Sequence, residues 1–279
     1  MAWRYVQLEV FPLSFKEFLN FKSLYLEKQI DILRAEMQIK KYFEEYMKFW
    51  AFPKVALLED EILKKEELKT YFDTIIIKDI VARYNLPNID EIKKLAYYFL
   101  SNNAKLFSVN SLKKMNLWAY DTIKKYLWYF YETYLFFELQ KYDYSVKKQL
   151  VNPKRIYSID LWFVNLLWFN FSENIGRNLE NLVFIELKRR WKQVYYHKNK
   201  KECDFVIVEW LKPVEVIQVT YSLEDEETRK KEIDWILEAM KDYGIKEWLI
   251  LTYDEEDEIV PGDGLKIKVL PVWKRMLEK

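Results

Sequence analysis

The sequence predicts a mixed fold, α/β plus all-α, in which a helical N-terminal part precedes a C-terminal sheet domain. The spacing of apolar residues supports this division. Before Gly176 apolar residues recur at helical spacing, whereas afterwards helical periodicity alternates with β-branched runs such as PVEVIQVTY. Because alternating helices and strands form a mixed sheet covered by helices, we expect a helical region at 1–86, a helix-turn-helix module at 87–155 and an α/β domain at 156–279.

The first region, 1–86, is predicted to be helical after a strand-like start, RYVQLEVF. Pro12 and Ser14 mark a turn that starts a short helix. A long helix is expected from Ser23 to Trp50, because apolar residues recur there at helical spacing. These residues are Leu26, Ile30, Leu33 and Met37. Pro53 ends that helix, and a further helix is expected from Lys65 to Tyr84.

The module at 87–155 is predicted to be a winged helix-turn-helix. Asp90 can cap a first helix, whose apolar face comprises Ile92, Leu95, Ala96, Phe99 and Leu100. Ser108 opens a short second helix, and a third is expected at 120–135. The segment LFFELQKYDYSVKKQL is expected to form two strands around a turn at 141–144. That hairpin would be the wing.

Lysines in this module suggest contact with DNA. In a winged helix-turn-helix the third helix enters the major groove, and lysines on the helix and wing contact phosphates. The candidates are Lys113, Lys114, Lys124, Lys125, Lys147 and Lys148. Residues 89–155 contain twelve basic and six acidic side chains, and residues 176–201 contain eight and two, whereas residues 224–263 contain five and fifteen. We therefore expect the basic regions to face DNA; the alternative is solvated lysines on a rigid spacer or a protein-binding unit.

Composition excludes several classes of function. With one cysteine, Cys203, and one histidine, His197, the chain can form neither an internal disulfide nor a Cys/His zinc site. A Ser/His/Asp triad would depend on His197, which is expected in a charged turn with no nucleophile motif beside it. The N-terminus lacks a signal-peptide pattern, and no apolar run approaches the roughly 20 residues that span a bilayer. We expect a cytoplasmic protein without a membrane partner, and the Lys and Glu content favours a thermophilic source.

The most informative stretch lies between Gly176 and Ser222. It begins with a predicted helix, GRNLENLVFIELKRR, whose sheet-facing apolar stripe includes Glu186 and has Glu180 on its border. A carboxylate in that position costs free energy unless it is paired, hydrogen-bonded or bound to metal. The alternative to metal binding is an ion pair with Arg189, Arg190 or Lys201. After the basic turn HKNKK, one strand carries Asp204 and the next ends at Gln218 and Thr220. With the helix and strand that follow, the predicted order of elements is αβββαβ.

Metal-dependent nucleases use this order of elements to bring carboxylates and a lysine to one edge of a sheet. Here Gln218 and Thr220 stand where such a site needs an acid and a lysine. Glutamine offers an uncharged oxygen and threonine cannot replace an ammonium group, so any Mg²⁺ site is expected to be weak. Lys200 or Lys201 is a candidate for a relocated lysine. Glu215 is rejected as a ligand, because strand alternation points it away from Gln218.

Four segments, in order, resemble the C-terminal part of archaeal AAA-type ATPases of the DUF4143 family. They are RYVQLEVFPLSFKEFL, LKTYFDTIIIKDIVARYN, VNPKRIYSIDLWFVN, and GRNLENLVFIEL through IQVTYS. The resemblance implies a helical lid at 1–86, a winged helix at 87–155 and a PD-(D/E)XK nuclease-like domain at 156–279. It also implies Glu180 as the first acidic position and Asp204 as the central Mg²⁺ ligand. That family's ATPase core does not appear in this sequence, and no glycine here supplies a phosphate-binding loop, so ATPase activity is not expected.

Three functions follow from these features. The leading hypothesis is a DNA-binding protein with a degenerate nuclease-like domain, a remnant or fragment of such an ATPase. The second is an active Mg²⁺-dependent DNA endonuclease that uses Glu180, Asp204 and Gln218, and the missing lysine counts against it. The third is a protein-interaction module that docks on a separate ATPase or self-associates through aromatic surfaces.

Overall fold

The computed structural model describes residues 8–49, 52–165, 175–245, 247–262 and 264–278. It is a mixed α/β protein with a six-stranded mixed sheet and a separate three-stranded sheet. Thirteen α-helices lie within the described residues. None of the helices in these ranges combines the length and the apolarity that a bilayer crossing requires.

Helices form the described part of the N-terminal region, as predicted, but with different boundaries. They are α1 (Phe15–Phe21), α2 (Gln29–Arg34), α3 (Glu36–Phe49), α4 (Pro53–Leu57) and α5 (Glu61–Thr74), which continues as a π-helix at Ile75–Ala82. Ser14 caps α1 in a capping box with Glu17, as the predicted start at Ser14 implies. Much of the strand-like start falls outside the described residues.

The prediction of one long helix from Ser23 to Trp50 is wrong. The Asp31 carboxylate accepts hydrogen bonds from the backbone N–H groups of Glu27 and Lys28, at 3.2 and 2.9 Å, so a helix begins only at Gln29. It ends at Arg34, and α3 follows after Ala35. Of the predicted apolar stripe Leu26 is buried, whereas the other three residues are exposed: Ile30, Leu33 and Met37.

The middle of the chain builds the small sheet. Its elements are α6 (Ile89–Ser101), β1 (Leu106–Phe107), α7 (Val109–Lys113), α8 (Tyr120–Glu132), β2 (Phe136–Leu139), α9 (Val146–Val151), β3 (Lys154–Ser158) and α10 (Leu161–Asn165). All five residues of the predicted apolar face of α6 are buried. The cap of α6 is Asn88 and not Asp90, because the Asn88 side chain accepts from the backbone N–H groups of Asp90 and Glu91. Ser108 caps α7, as predicted.

The predicted strand pair around 141–144 forms only in part. β2 is its first strand, but its partner is β3, with Phe136 opposite Ser158. The sheet order is β1-β3-β2, and all pairs are antiparallel. Between β2 and β3 the chain turns into α9, because the Asp143 side chain accepts from the backbone N–H of Ser145 and Gln149 donates to the Asp143 carbonyl. The predicted second strand is therefore a short helix.

The C-terminal part builds the large sheet. Its strands are β4 (Gln193–Lys198), β5 (Glu202–Glu209), β6 (Lys212–Val219), β7 (Glu247–Thr252), β8 (Asp257–Gly262) and β9 (Leu265–Pro271). Its helices are α11 (Ile175–Arg189), α12 (Glu226–Tyr243) and α13 (Val272–Leu277). The sheet order is β4-β5-β6-β7-β9-β8; β6, β7 and β9 are parallel and the other pairs antiparallel.

The observed order α11-β4-β5-β6-α12-β7 agrees with the predicted order of elements. The prediction that places His197 in a charged turn is wrong. His197 lies on β4 and is buried, and its imidazole Nδ1 shares a hydrogen bond of 2.6 Å with the Tyr243 hydroxyl of α12.

One apolar core connects the regions. It extends from α1 to α13 and includes the face of the large sheet that α11 covers, while α12 covers the other face with a second cluster. Ring contacts join distant segments: Phe43 lies 5.9 Å from Tyr253, and Phe137 of β2 lies 6.2 Å from Phe184 of α11. The small sheet is therefore packed directly against the large sheet's helix, and β3 and α11 meet in the interior.

Candidate functional site

Helix α11 is fixed to strand β3 by a buried amide. Asn181 Oδ1 accepts from the backbone N–H of Ser158 at 2.9 Å, and Asn181 Nδ2 donates to the Ser158 carbonyl at 2.9 Å. The side chain thereby satisfies both backbone groups of one residue, as a neighbouring strand would. This contact holds the adjacent Glu180 against β3.

A β-bulge brings Asp204 to the same side of the sheet. The pairing of β4 with β5 shifts by one residue between Tyr195 and His197, so that Asp204 and Phe205 together oppose Tyr196. A bulge of this kind interrupts side-chain alternation and re-aims a side chain. Asp204 and its neighbour Phe205 therefore both face α11 and β3.

Arg155, on β3, lies at the centre of these carboxylates. Its Nη1 donates to Asp204 Oδ1 at 3.0 Å and also to Glu180 Oε1, and its Nη2 donates to Glu202 Oε1 at 2.5 Å. The Tyr157 hydroxyl donates to Glu180 Oε1 at 2.6 Å. Only 8% of the Arg155 side chain is exposed. We call this set of five residues the Arg155 cluster.

Neighbouring groups hold the cluster in place. The ring of Tyr196 lies 5.6 Å from the Arg155 guanidinium carbon, within cation–π distance. Asp204 Oδ2 accepts from the backbone N–H of Val219 at 2.9 Å. Glu202 also pairs with Lys198, at 2.9 Å. The two acceptor oxygens of Asp204 are thus both used, one by Arg155 and one by the β6 backbone.

The cluster carries more negative than positive charge, because one guanidinium faces three carboxylates. Burial raises the pKa of Glu180 to about 7, with the Asp204 charge adding to the rise and Arg155 opposing it. Burial likewise raises the pKa of Asp204. Although burial acts in the same direction on Glu202, Arg155 and Lys198 outweigh it and lower its pKa. The cluster therefore holds Arg155 permanently charged and has affinity for a proton near neutral pH.

Gln218 turns toward α12 and not toward Arg155. Its Oε1 accepts from the backbone N–H of Asp204 at 3.1 Å, and its Nε2 donates to Glu232 Oε2 at 2.8 Å. Glu232 is buried, and its burial together with the Asp204 charge raises its pKa to about 7. Thr220 follows the end of β6 and donates to the Ser222 carbonyl at 3.4 Å. The structure thus brings Gln218 to the edge of the cluster, and within the described residues the Thr220 side chain makes no hydrogen bond to it.

Glu186 and Lys201, the additional candidates, lie outside the cluster. Glu186 pairs with Arg189 and with Arg190 Nε, the latter at 2.8 Å, which is the ion-pair alternative considered for it. Lys201 Nζ lies 3.4 Å from Asp234 of α12. Neither residue supplies the acid or the lysine that Gln218 and Thr220 lack.

The residues present do not fit a magnesium ion. Mg²⁺ requires near-octahedral oxygen ligands at about 2.0–2.1 Å, and the guanidinium of Arg155 lies between Glu180 and Asp204. In the described ranges, no group of three or more His, Cys, Asp or Glu side chains is arranged to hold a metal. The cation at this place belongs to the chain itself.

The six candidate DNA-contacting lysines are all exposed on α7, α8 and α9 or directly beside them: Lys113, Lys114, Lys124, Lys125, Lys147 and Lys148. Among the described residues, only Lys148 approaches a carboxylate, that of Asp143 at 3.9 Å. Lys124 and Lys125 lie over aromatic rings of α8, at 5.7 and 5.9 Å from their centres. Lys147 and Lys148 stand on the short helix α9 and not on a β-wing. The other five of these six lysines have no acidic partner among the described residues.

Sequence reasoning found Glu180 and Asp204 but missed four residues of the site: Arg155, Tyr157, Glu202 and Glu232. One signal for Arg155 was present, since RIYSI places a charged residue at the start of an otherwise largely apolar strand. Glu202 and Glu232 stand in charged surroundings that give no such signal.

Comparison with known proteins adds relatives but no activity. A domain of unknown function (DUF8612) matches residues 40–172, a span that covers α4 to α10 and ends before the large sheet. The chain is 37% identical to the uncharacterized protein MJ1544 of Methanocaldococcus jannaschii, over 97% of this chain and 63% of that protein. It is 30% identical to an uncharacterized protein of Haemophilus influenzae, over 98% of this chain and 66% of that protein. The chain thus spans slightly less than two thirds of these relatives, and no solved structure matches it.

Proposed function

We propose that this protein binds DNA and that its C-terminal sheet is a nuclease-like fold that does not cleave it. The observation that carries the binding is the exposure of six lysines on one module, five of them without an acidic partner among the described residues. Unpaired lysines favour phosphate contacts, since a lysine already paired with a carboxylate must lose that partner first.

The arrangement of the middle module supports a winged helix-turn-helix. Three helices, α6, α7 and α8, precede the antiparallel strands β2 and β3. In this proposal α8 is the recognition helix, and α9, in the connection between β2 and β3, takes the place of the wing. Lysines on both elements then contact one stretch of backbone.

The order of elements around the large sheet supports the PD-(D/E)XK nuclease-like interpretation, and the Arg155 cluster argues against catalysis by it. Metal-dependent cleavage needs a bound ion that activates water and stabilises charge on the phosphate. Arg155 occupies the position between Glu180 and Asp204 and offers no site for an activated water. The relationship to the DUF4143-type ATPases is proposed on the sequence segments alone.

The direct test is binding of a labelled DNA duplex, followed by fluorescence anisotropy as salt increases. If about five phosphates are contacted, the logarithm of affinity should fall with the logarithm of salt concentration with a slope of about −4 to −5. No binding at about 50 mM salt, or binding that salt does not weaken, would contradict the proposal.

A second candidate, a protein-interaction module, is favoured by one observation. Ile30 and Leu33 of α2 and Met37 at the start of α3 are large apolar residues, and all three are exposed. Exposed apolar residues close together in the chain are typical of a surface that packs against another protein. Leu33→Glu with Met37→Glu should abolish any self-association measured by sedimentation; unchanged assembly would count against this candidate.

A further inference from the structure

The hairpin between β5 and β6 exposes two large apolar residues on a strained backbone. Trp210 is 95% exposed and Leu211 is 85% exposed. Both have positive φ, 50° and 66°, as the two central residues of a type I′ turn do. Such turns favour Asn-Gly, because a large side chain in the left-handed region clashes with its own backbone. Neither burial nor turn geometry therefore explains this pair of residues.

A third aromatic residue stands beside the tip. Trp191, which follows α11, is 67% exposed and also has a positive φ, 57°. With Trp210 and Leu211 it lines an open groove of about 530 Å³. Lys192 in the same groove pairs with Glu209 at 2.7 Å, which fixes the hairpin to the start of β4. Three exposed apolar side chains thus border one groove.

The tip adjoins the basic segment that carries α9. The Tyr142 hydroxyl donates to the Leu211 carbonyl at 3.5 Å, and the ring of Tyr142 lies 5.4 Å from that of the exposed Tyr144. Lys147 and Lys148 follow three and four residues after Tyr144. Through Tyr142 the tip therefore contacts the segment that leads into α9, the helix that carries two of the lysines assigned to DNA contact.

Charge around the tip is strongly positive. The segments 140–148, 188–193 and 209–212 contain six lysines and two acidic residues; they also contain two arginines, which pair with Glu186. A polyanion complements this charge, whereas a neutral apolar protein surface does not. Exposed rings beside lysines are also the combination that binds single-stranded nucleic acid, in which rings stack on bases and lysines follow the backbone.

We propose that Trp210 and Leu211 form a wedge that stacks against unpaired bases of a nucleic acid whose backbone runs along Lys147 and Lys148. The proposal rests on the DNA-binding function above and deepens it, because it names single-stranded or frayed DNA as the substrate class. Stacking on a flat aromatic face is tolerant of sequence, so the wedge reads the presence of free bases and not their identity.

The test uses the variant Trp210→Asn with Leu211→Gly. Because Asn-Gly is the favoured pair for a type I′ turn, this variant should fold and should melt no lower than the unchanged protein. Three labelled probes are compared with the full chain: an oligothymidylate of about 20 nucleotides, an abasic strand of the same length with the same phosphates, and a blunt duplex. The control, Leu33→Asn with Met37→Asn, changes an exposed apolar pair on another element.

The unchanged protein and the control should bind the oligothymidylate about fivefold or more tightly than the abasic strand, as stacking of at least one base implies. The Asn-Gly variant should lose this preference and keep its duplex affinity and salt dependence. An equal preference in variant and unchanged protein, with duplex binding intact, overturns the wedge alone. Failure of the unchanged protein to bind any probe overturns the wedge together with the DNA-binding function. Loss of self-association in the Asn-Gly variant without a change in base preference assigns the tip to a protein interface and likewise overturns the wedge.

Discussion

Arg155 Nη1 lies 3.0 Å from Asp204 Oδ1, so the last strand of the small sheet supplies the cation that faces a carboxylate of the large sheet. A metal ion in this place would exchange with solvent, whereas a guanidinium is tied to β3. The same guanidinium also binds Glu180 on α11 and Glu202 on β5. The cluster therefore joins one strand of each sheet, β3 and β5, to helix α11 at one buried point.

Arg155→Met should destabilise the fold strongly. The change removes the cation and leaves three carboxylates close together with little solvent, a loss of about 3–5 kcal/mol for a broken buried pair. The control is Arg229→Met, which removes a surface partner of Asp257 and should cost no more than about 1 kcal/mol. Urea denaturation at neutral pH measures both. A loss at Arg155 as small as that of the control would contradict a structural role for the cluster.

Glu232→Gln should stabilise the protein at alkaline pH and have little effect at acidic pH. The folded pKa of Glu232 is raised from 4.5 to about 7. Because the pKa of Glu232 is higher in the folded protein than in the unfolded chain, the stability that its protonated form contributes is fully present below pH 4.5. That stability is lost as pH rises through 7. Glutamine keeps an oxygen for Gln218 Nε2 and has no charge to bury. The difference in unfolding free energy between the variant and the unchanged protein should therefore grow by on the order of 2 kcal/mol from pH 5 to pH 8.

Paired urea denaturations at the two pH values measure this gain. Glu226→Gln, at an exposed position in the first turn of the same helix, serves as the control for the loss of a carboxylate from α12. Comparison of each variant with the unchanged protein cancels the titrating groups that Glu232 does not perturb, including the buried His197. A difference between Glu232→Gln and the unchanged protein that does not vary with pH would argue against a buried charge at this position.

Restoring the acid and the lysine should not by itself restore a metal site. In Gln218→Glu with Thr220→Lys, Arg155 still lies between Glu180 and Asp204, so we expect neither Mn²⁺ binding by calorimetry nor DNA cleavage. Adding Arg155→Ala removes the competing cation, and Mn²⁺ should then raise the melting temperature. This rise should disappear with Asp204→Asn. Mn²⁺ binding by the double variant with Arg155 in place would refute the view that Arg155 blocks the site.

The order of elements in the large sheet could be predicted because it depends on local periodicity. The helix around Glu180, the strands around Asp204 and Gln218 and the helix after them each leave an apolar pattern in the sequence. The centre of the site could not be predicted in the same way. Arg155 reaches Asp204 only because β3 docks against α11 and because a one-residue bulge re-aims Asp204, and neither feature changes the local pattern.

Predictions in the middle module failed where a few polar contacts decide the backbone. The segment around α9 contains apolar residues that suggested a strand, but hydrogen bonds between Asp143, Ser145 and Gln149 favour a helical turn. In the N-terminal region, the Asp31 side chain accepts hydrogen bonds from the backbone of Glu27 and Lys28, so the helix begins only at Gln29. Such caps are weak signals in a sequence, because the same residue types are common on exposed helix surfaces.

Charge reversal at the lysines of α8 and α9 should weaken DNA binding far more than charge reversal elsewhere. The test set is Lys124, Lys125, Lys147 and Lys148, each changed to Glu. The control set consists of exposed lysines on α12 and β9 that lack an acidic partner among the described residues: Lys230, Lys231, Lys241 and Lys268. Both sets change the net charge equally. If the test lysines contact phosphates, their loss should reduce the salt slope of duplex binding by about one per lysine, whereas the control should leave the slope nearly unchanged. Fluorescence anisotropy at low salt measures both, and equal losses in the two sets would mean that binding follows net charge and not a footprint on α8 and α9.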